Sequence, residues 1–366
     1  MAVGVKFLLL CSILCLMAAF AGCGGSYMQP QTSASGFRQT NLVSDAAGTA
    51  NRFDPGLTRP RGMASMPGQP FWIAENNLGT TKVFGPDGAP TAPLGIGIPI
   101  PPGGRLPAAP AGVVFNPNPE DFHISGNNSQ FLFATEDGTI SGWSTDSRGN
   151  FPTEASLAID NSTAAAVYTG LAIVTPECCR EFLAVVNFHS GNVEPYTVDF
   201  APLAPPGSFT DPNLPTGYGP FGIQVIGNQV FVTYALQDPS SREPVSGPGN
   251  GIVDIFDLEG SFVRRFVSHG VLNAPWGVAQ ASASFGPFSN DILLGNFGDG
   301  TINAFDPATG NFLGQLKDGT GKVITNPGLW ALVFRNDGVG DPNTLYFTAG
   351  PKRQDRGLFG AIAFHN

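Results

Sequence analysis

Asn273-Ala-Pro-Trp-Gly-Val-Ala279 and, after a connection, Asp291-Ile-Leu-Leu-Gly-Asn-Phe-Gly-Asp-Gly-Thr-Ile-Asn-Ala-Phe-Asp306 describe three short strands in a row. The second and third are joined at Gly298-Asp-Gly300, where glycine supplies the positive φ that a tight hairpin turn needs. Asp306-Pro-Ala-Thr-Gly310 is a second turn signal, and Phe312-Leu-Gly-Gln-Leu316 after it reads as a fourth strand. Four antiparallel strands in chain order make one blade of a β-propeller.

The unit recurs five more times along the chain. First-strand anchors fall at Gly62, Gly112, Gly170, Gly222, Gly277 and Trp330, which lie 50, 58, 52, 55 and 53 residues apart. Second strands read Phe71-Trp-Ile-Ala74, Phe131-Leu-Phe-Ala134, Phe182-Leu-Ala-Val-Val186, Val230-Phe-Val-Thr233, Ile292-Leu-Leu294 and Leu345-Tyr-Phe-Thr348. Each third strand ends on an aromatic residue, namely Phe84, Trp143, Tyr196, Phe256, Phe305 and Phe364. A large ring at one place per blade fills the wedge between neighbouring sheets, so these six are expected in the core. The sixth unit stops after its third strand, Leu358-Phe-Gly-Ala-Ile-Ala-Phe364, whereas Phe37-Arg-Gln-Thr-Asn-Leu-Val43 aligns with fourth strands. An N-terminal strand that completes the last blade leaves no open edge between first and last. The expectation is an all-β chain: a six-bladed β-propeller over 37–366, four antiparallel strands per blade, closed by its N-terminal strand.

Composition agrees. Gly (48) and Pro (33) are abundant in 366 residues, but 42% hydrophobic residues and 29 Phe provide the apolar bulk that a disordered chain lacks. A formal charge of −10, with no basic run, excludes nucleic acid as a partner, since phosphate binding needs clustered Lys and Arg. At the N-terminus, Lys6 precedes an apolar run over 7–20 that is shorter than the ~20 residues of a membrane span. Residues 1–22 therefore read as an export signal and 23–36 as a flexible tether.

Phe20-Ala-Gly-Cys-Gly-Gly25 resembles a bacterial lipobox, although Phe20 stands where the pattern prefers Leu. The resemblance implies lipid on Cys23 and anchorage to the cell envelope, at the outer membrane in a Gram-negative host. Ordinary cleavage and secretion is the alternative. Cys178 and Cys179 are adjacent, and either a vicinal disulfide or two free or partner-linked thiols suits them. The Pro-x-Gly-Val-Ala, Gly-Asn-Phe-Gly-Asp-Gly and Asp-Pro-x-Thr-Gly order resembles NHL-type six-bladed propellers. Phe131-Leu-Phe-Ala-Thr-Glu-Asp-Gly-Thr-Ile-Ser-Gly-Trp143, Gly247-Pro-Gly-Asn-Gly-Ile-Val-Asp-Ile-Phe-Asp257 and Leu345-Tyr-Phe-Thr-Ala-Gly-Pro351 resemble an uncharacterised family of exported bacterial propellers.

The loops from second to third strands and from blade to blade are expected to gather at one mouth of the central channel, where ligands bind. Candidate ligand-binding residues there are Arg61, Glu75, Asn76, Glu136, Asn187, His189, Asn296 and Asp299. Asn77, Asp137, Asp238 and His269 share that face, while His123 falls on the opposite one. Asn76, Asn187 and Asn296 read as one repeat position. Their amides, with Glu75, are a candidate oxygen shell for Ca²⁺, the metal that the sugar-lactonase-like propellers imply. The alternative is that the asparagines brace turns. His189 or His269 could act as a general base, yet no nucleophile elbow, metal-spaced His/Cys pair or phosphate loop occurs. The long insertion 236–250 should overhang the mouth and be the first place to look for recognition. The function expected is a monomeric binding module for an extracytoplasmic protein, polymer or small ligand. The alternative is a Ca²⁺-dependent hydrolase or lactonase.

Overall fold

The computed structural model describes residues 35–365 apart from 92–94, 147, 178, 206 and 352–354. The export signal, Cys23, nearly all of the tether, and Cys178 with its proposed pairing lie outside these residues. Six antiparallel sheets follow one another along the chain. Blade 1 is Pro60–Ser65, Phe71–Glu75 and Thr80–Phe84. Blade 2 is Pro110–Phe115, Phe131–Thr135, Thr139–Trp143 and Ser156–Asp160. Blade 3 is Tyr168–Val174, Phe182–Asn187 and Asn192–Thr197. Blade 4 is Tyr218–Ile226, Gln229–Leu236, Ile252–Phe256 and Phe262–Ser268. Blade 5 is Pro275–Gln280, Ile292–Asn296, Ile302–Phe305 and Phe312–Gln315. Blade 6 is Leu329–Val333, Leu345–Ala349 and Leu358–His365, completed by Gly36–Ser44.

The closing strand is antiparallel to the last one, from Gly36 opposite His365 to Ser44 opposite Leu358. Ser44 Oγ donates to Gly357 O at 2.8 Å, and Gly357 N–H donates to Asp45 Oδ1 at 2.9 Å. The ring is therefore sealed by main-chain hydrogen bonds.

Four strands per blade holds for blades 2, 4 and 5, and the other three depart from it. Among the described residues the outer edges of blades 1 and 3 carry only isolated bridges, Thr80 with Gly97 and Phe84 with Pro90 in the first and Tyr196 with Pro202 in the second. Proline lacks the N–H that a ladder needs, and these outer segments hold Pro86, Pro90, Pro99, Pro101 and Pro102 in one case and Pro202, Pro205, Pro212 and Pro215 in the other. Blade 6 gains a short fifth strand, Arg52–Phe53, parallel to the closing one.

Among the described residues the core divides into six buried clusters, one per blade–blade interface, and a seventh at the ring axis. The six third-strand aromatics distribute one to each interface, with Phe364 packed at the margin of its cluster and the other five buried. Each buried ring of this kind contributes about 1.5–3 kcal/mol.

Inner strands approach one another closely because their anchors are glycines. A Cβ on Gly222 would meet Trp276 O at 2.3 Å, and one on Gly277 would meet Trp330 O at 2.4 Å. In blade 6 the position equivalent to Gly277 is Ala331, so Trp330 lies one residue before the anchor position assigned to it from the repeat.

Candidate functional site

Every innermost strand carries a one-residue bulge near its start: after Pro60, Pro110, Tyr168, Pro220, Pro275 and Leu329. A bulge re-aims a side chain that a regular ladder would leave in the sheet. Repeated six times, it sends Arg61, Ala111, Thr169, Phe221, Trp276 and Trp330 toward the axis, where side chains of non-adjacent blades meet. Trp330 packs against Phe221 at 5.5 Å and Trp276 at 5.4 Å, and Phe297 closes on Trp330 at 5.0 Å. Trp276 Nε1 donates to Thr169 O at 3.1 Å, and Thr169 Oγ1 donates to Phe221 O at 2.7 Å. The channel is thus stoppered at the face where the second-to-third-strand loops gather.

Arg61 is the charged member of the stopper. Its guanidinium lies 4.4 Å from the Trp330 ring centroid and pairs with Glu136, whose other oxygen accepts from Asn76 Nδ2 at 3.3 Å. Burial pulls the Arg61 guanidinium down to about 9, so it stays charged at neutral pH. Arg61, Asn76 and Glu136 are the three sequence-selected residues that the structure brings together. The 236–250 insertion does overhang them: Arg242 Nη2 reaches from blade 4 across to Glu136 O of blade 2, at 3.2 Å. The insertion is braced from within by Asp238, which accepts from the N–H groups of Arg242 and Glu243.

The other candidates serve the loops themselves. The sheet register makes Glu75, rather than Asn76, the equivalent of Asn187 and Asn296, since all three close their second strands opposite the residue before the bulge. Glu75 accepts from Arg59 N at 2.8 Å and Leu78 N at 2.6 Å. Asn187 Oδ1 accepts from Val167 N at 3.1 Å and Ser190 N at 3.2 Å. Asn296 Oδ1 accepts from Asn273 N at 3.1 Å, and Asp299 Oδ1 accepts from Thr301 N at 3.0 Å. These oxygens are spent on main-chain N–H groups of separate blades and do not fit a shared Ca²⁺ shell. Among the described residues no three His, Cys, Asp or Glu side chains gather as a metal ligand set.

His189 is half-buried, with no hydrogen-bond partner for Nδ1 among the described residues, and His269 Nδ1 lies 2.9 Å from Gly249 O. His123 lies in the connection between the first and second strands of blade 2, and the exposed Cys179 in that of blade 3.

The face opposite the stopper holds the open end of the channel. Inner strands of blades 1, 2, 3, 4 and 6 line a cavity of about 340 Å³, whose wall runs past Val114, Phe115, Ile173 and Val333 and is polar and apolar in about equal parts. A further cavity of about 50 Å³ continues down to the Trp276 side of the stopper. Polar groups stand at the rim: Ser65, Gln224, Asn336 and the Arg335–Asp337 pair. Arg335 Nε is 3.1 Å from Asp337 Oδ2 and its Nη2 donates to Gln69 O at 2.6 Å, which ties blade 6 to blade 1. The guanidinium holds the Asp337 carboxyl down at about 2. Sequence reasoning did not single out this end, because it looked for ligand contacts among the hairpin loops. The available signal was the aromatic residue x of Pro220-x-Gly222 and Pro275-x-Gly277, which marks the bulge that closes that mouth.

No protein-family profile matches the chain. Aldose sugar dehydrogenase from Escherichia coli is similar in structure, with a TM-score of 0.55 and 10% identity over 89% of this chain and 99% of the other. A streptogramin B lyase structure is similar at a TM-score of 0.50 and 11% identity, over 91% and 98%. At such identities the likeness shows the propeller fold alone. By sequence, the chain is 33% identical to uncharacterized protein R640 of Acanthamoeba polyphaga mimivirus over 314 residues, 81% of this chain. It spans about half (54%) of that relative's length. It is 30% identical to uncharacterized protein L690 of the same virus over 344 residues, 91% of this chain and 87% of the other. These relatives are viral, and the bacterial source implied by the sequence resemblance has no counterpart in them. The chain belongs to the propeller family that includes the mimivirus protein L690.

Proposed function

We propose that the chain is an exported binding propeller that takes a small, uncharged ligand with both apolar and hydrogen-bonding groups into the open end of its channel. The observation that carries this reading is the asymmetry of the axis: a packed stopper at one end and a cavity of about 340 Å³, lined by polar and apolar groups alike, at the other. Concave apolar sites with a few placed polar groups are where small molecules bind. Arg335 and Asp337 neutralise each other, so the rim favours hydrogen-bonding ligands over charged ones.

Filling the cavity tests the reading. Ser65→Trp places an indole in it from a half-buried position. Ligand-observed NMR with a library of uncharged fragments should give hits on the wild type that vanish in the variant. A wild type without hits, or hits that persist in the folded variant, would sink the proposal. Export rests on Lys6, the apolar run over 7–20 and Cys23. Lipid is worth ~0.8 kcal/mol per buried CH₂, so Cys23→Ala should move the chain from membrane to soluble fractions. Equal fractions for both chains would remove the anchor.

A further inference from the structure

Among the described residues, two buried carboxyl groups each have an oxygen without a hydrogen-bond partner: Asp254 of blade 4 and Glu181. Glu181 stands just before the second strand of blade 3 and is 8% exposed. Its neighbour across the blade boundary is Asp121, in the connection between the first and second strands of blade 2 and 3% exposed. Both oxygens of Asp121 are committed to donors: Oδ1 pairs with Arg180, and Oδ2 accepts from Asn118 Nδ2 at 2.8 Å. Asp121 is therefore the ionised member of the two. Arg180 lies mostly in water and serves Asp121, which leaves Glu181 without a cation of its own. The other titratable groups beside Glu181 bring no positive charge: Asp199, Glu259 and the Cys179 thiol share a cavity wall with it.

We infer that Glu181 and Asp121 form a proton-dependent clasp between blades 2 and 3: one proton held between the two carboxyl groups joins the connections, and its loss parts them. Protonated, Glu181 donates to Asp121; ionised, it sets a second negative charge against the first where water reaches poorly. The segment is poised to respond. Phe122, the residue after Asp121, is buried in the core between blades 2 and 3 at φ 59, a conformation costly for a bulky side chain. Release of the clasp lets that strain relax. Burial first, and the Asp121 charge second, push the Glu181 carboxyl above the ordinary glutamate range, while Thr175 and Arg180 oppose the shift. A carboxyl raised in this way stabilises the closed form at low pH and ceases to do so as pH rises through its titration. The clasp is thus closed on the acid side and opens toward alkaline pH.

The test is amide hydrogen exchange of the full chain, followed by mass spectrometry in the connection 116–130 and corrected for the intrinsic effect of pH. In the wild type, protection there should fall about tenfold between about pH 5 and about pH 8, the factor that one unit of proton linkage supplies. Glu181→Gln keeps the shape, removes the charge and supplies an amide donor toward Asp121, so its protection should stay high at both pH values. Glu181→Ala, which takes this partner from Asp121, should exchange fast at both. Thermal unfolding verifies that each variant folds. Asp254→Asn should leave the dependence unchanged, which separates the clasp from the other buried carboxyl. Wild-type protection that ignores pH, or the same pH dependence in Glu181→Gln, would overturn the assignment.

Discussion

Asp254, on the third strand of blade 4, shares one guanidinium with another buried carboxylate. Its Oδ1 accepts from Arg265 Nε at 3.1 Å, Arg265 Nη2 pairs with Asp211, and Asp254 Oδ2 has no partner among the described residues. Two carboxylates and one cation leave a buried negative charge in excess. Burial above all pushes the Asp254 carboxyl up to about 7; Arg265 opposes the shift and Asp211 adds to it. The folded state therefore holds this proton more tightly than the unfolded chain, whose aspartates titrate near 3.9. The associated stability is complete below about pH 4 and is lost as pH rises toward 7. Asp254→Asn keeps the shape, removes the charge and supplies a donor toward Asp211. It should melt at least about 2 °C above the wild type at pH 8 and lose that advantage at pH 4. A variant less stable than wild type at pH 8 would contradict the excess-charge account. None of this was legible in the sequence, because Asp211 and Arg265 are 54 residues apart. The convergence of Arg61, Asn76 and Glu136 was legible in part. Their places in the repeat put them on one face, but only the bulge, a feature of register, aims Arg61 at the axis.

At the scale of elements, the strands of the repeat were readable because their signals are local. Gly-Asp-Gly turns, apolar second strands and one aromatic per third strand each act within a dozen residues. Closure was readable for the same reason, as a missing fourth strand and an unassigned N-terminal one, and the ladder from Gly36 to Ser44 fills that gap. The irregular outer edges of blades 1 and 3 were also written locally, as prolines at positions that a ladder must hydrogen-bond. A constant period drew attention away from them. The shared turn position was misplaced by one residue in blade 1, since a chemical match at Asn76 competed with the register that selects Glu75. Hydrogen bonds, rather than residue type, decide that position: carboxylate and amide accept from equivalent N–H groups at Arg59 and Val167.

For the whole molecule, the ring has two unlike ends. Contacts that stopper one of them join blade 1 to blade 6, blade 3 to blade 5 and blade 4 to blade 6, and no sequence pattern of fifty-residue range encodes such pairings. At the other end, past the close approaches at the glycine anchors, the inner strands line a cavity of about 340 Å³. Binding at this end, the core of the proposed function, requires that solvent and small molecules enter from one face only. Thiol labelling measures this most directly, in a chain of residues 24–366, without Cys23, whose Cys178 and Cys179 are replaced by serine. Ser65→Cys places a thiol at the open cavity, and Ala111→Cys places one within the stopper, at a position with no exposed surface. With a small maleimide under native conditions, the first should react at the rate of a free thiol, and the second at least about a hundredfold more slowly, through transient opening of the ring. Comparable rates for the two thiols, or protection at Ser65→Cys with ready labelling at Ala111→Cys, would contradict it.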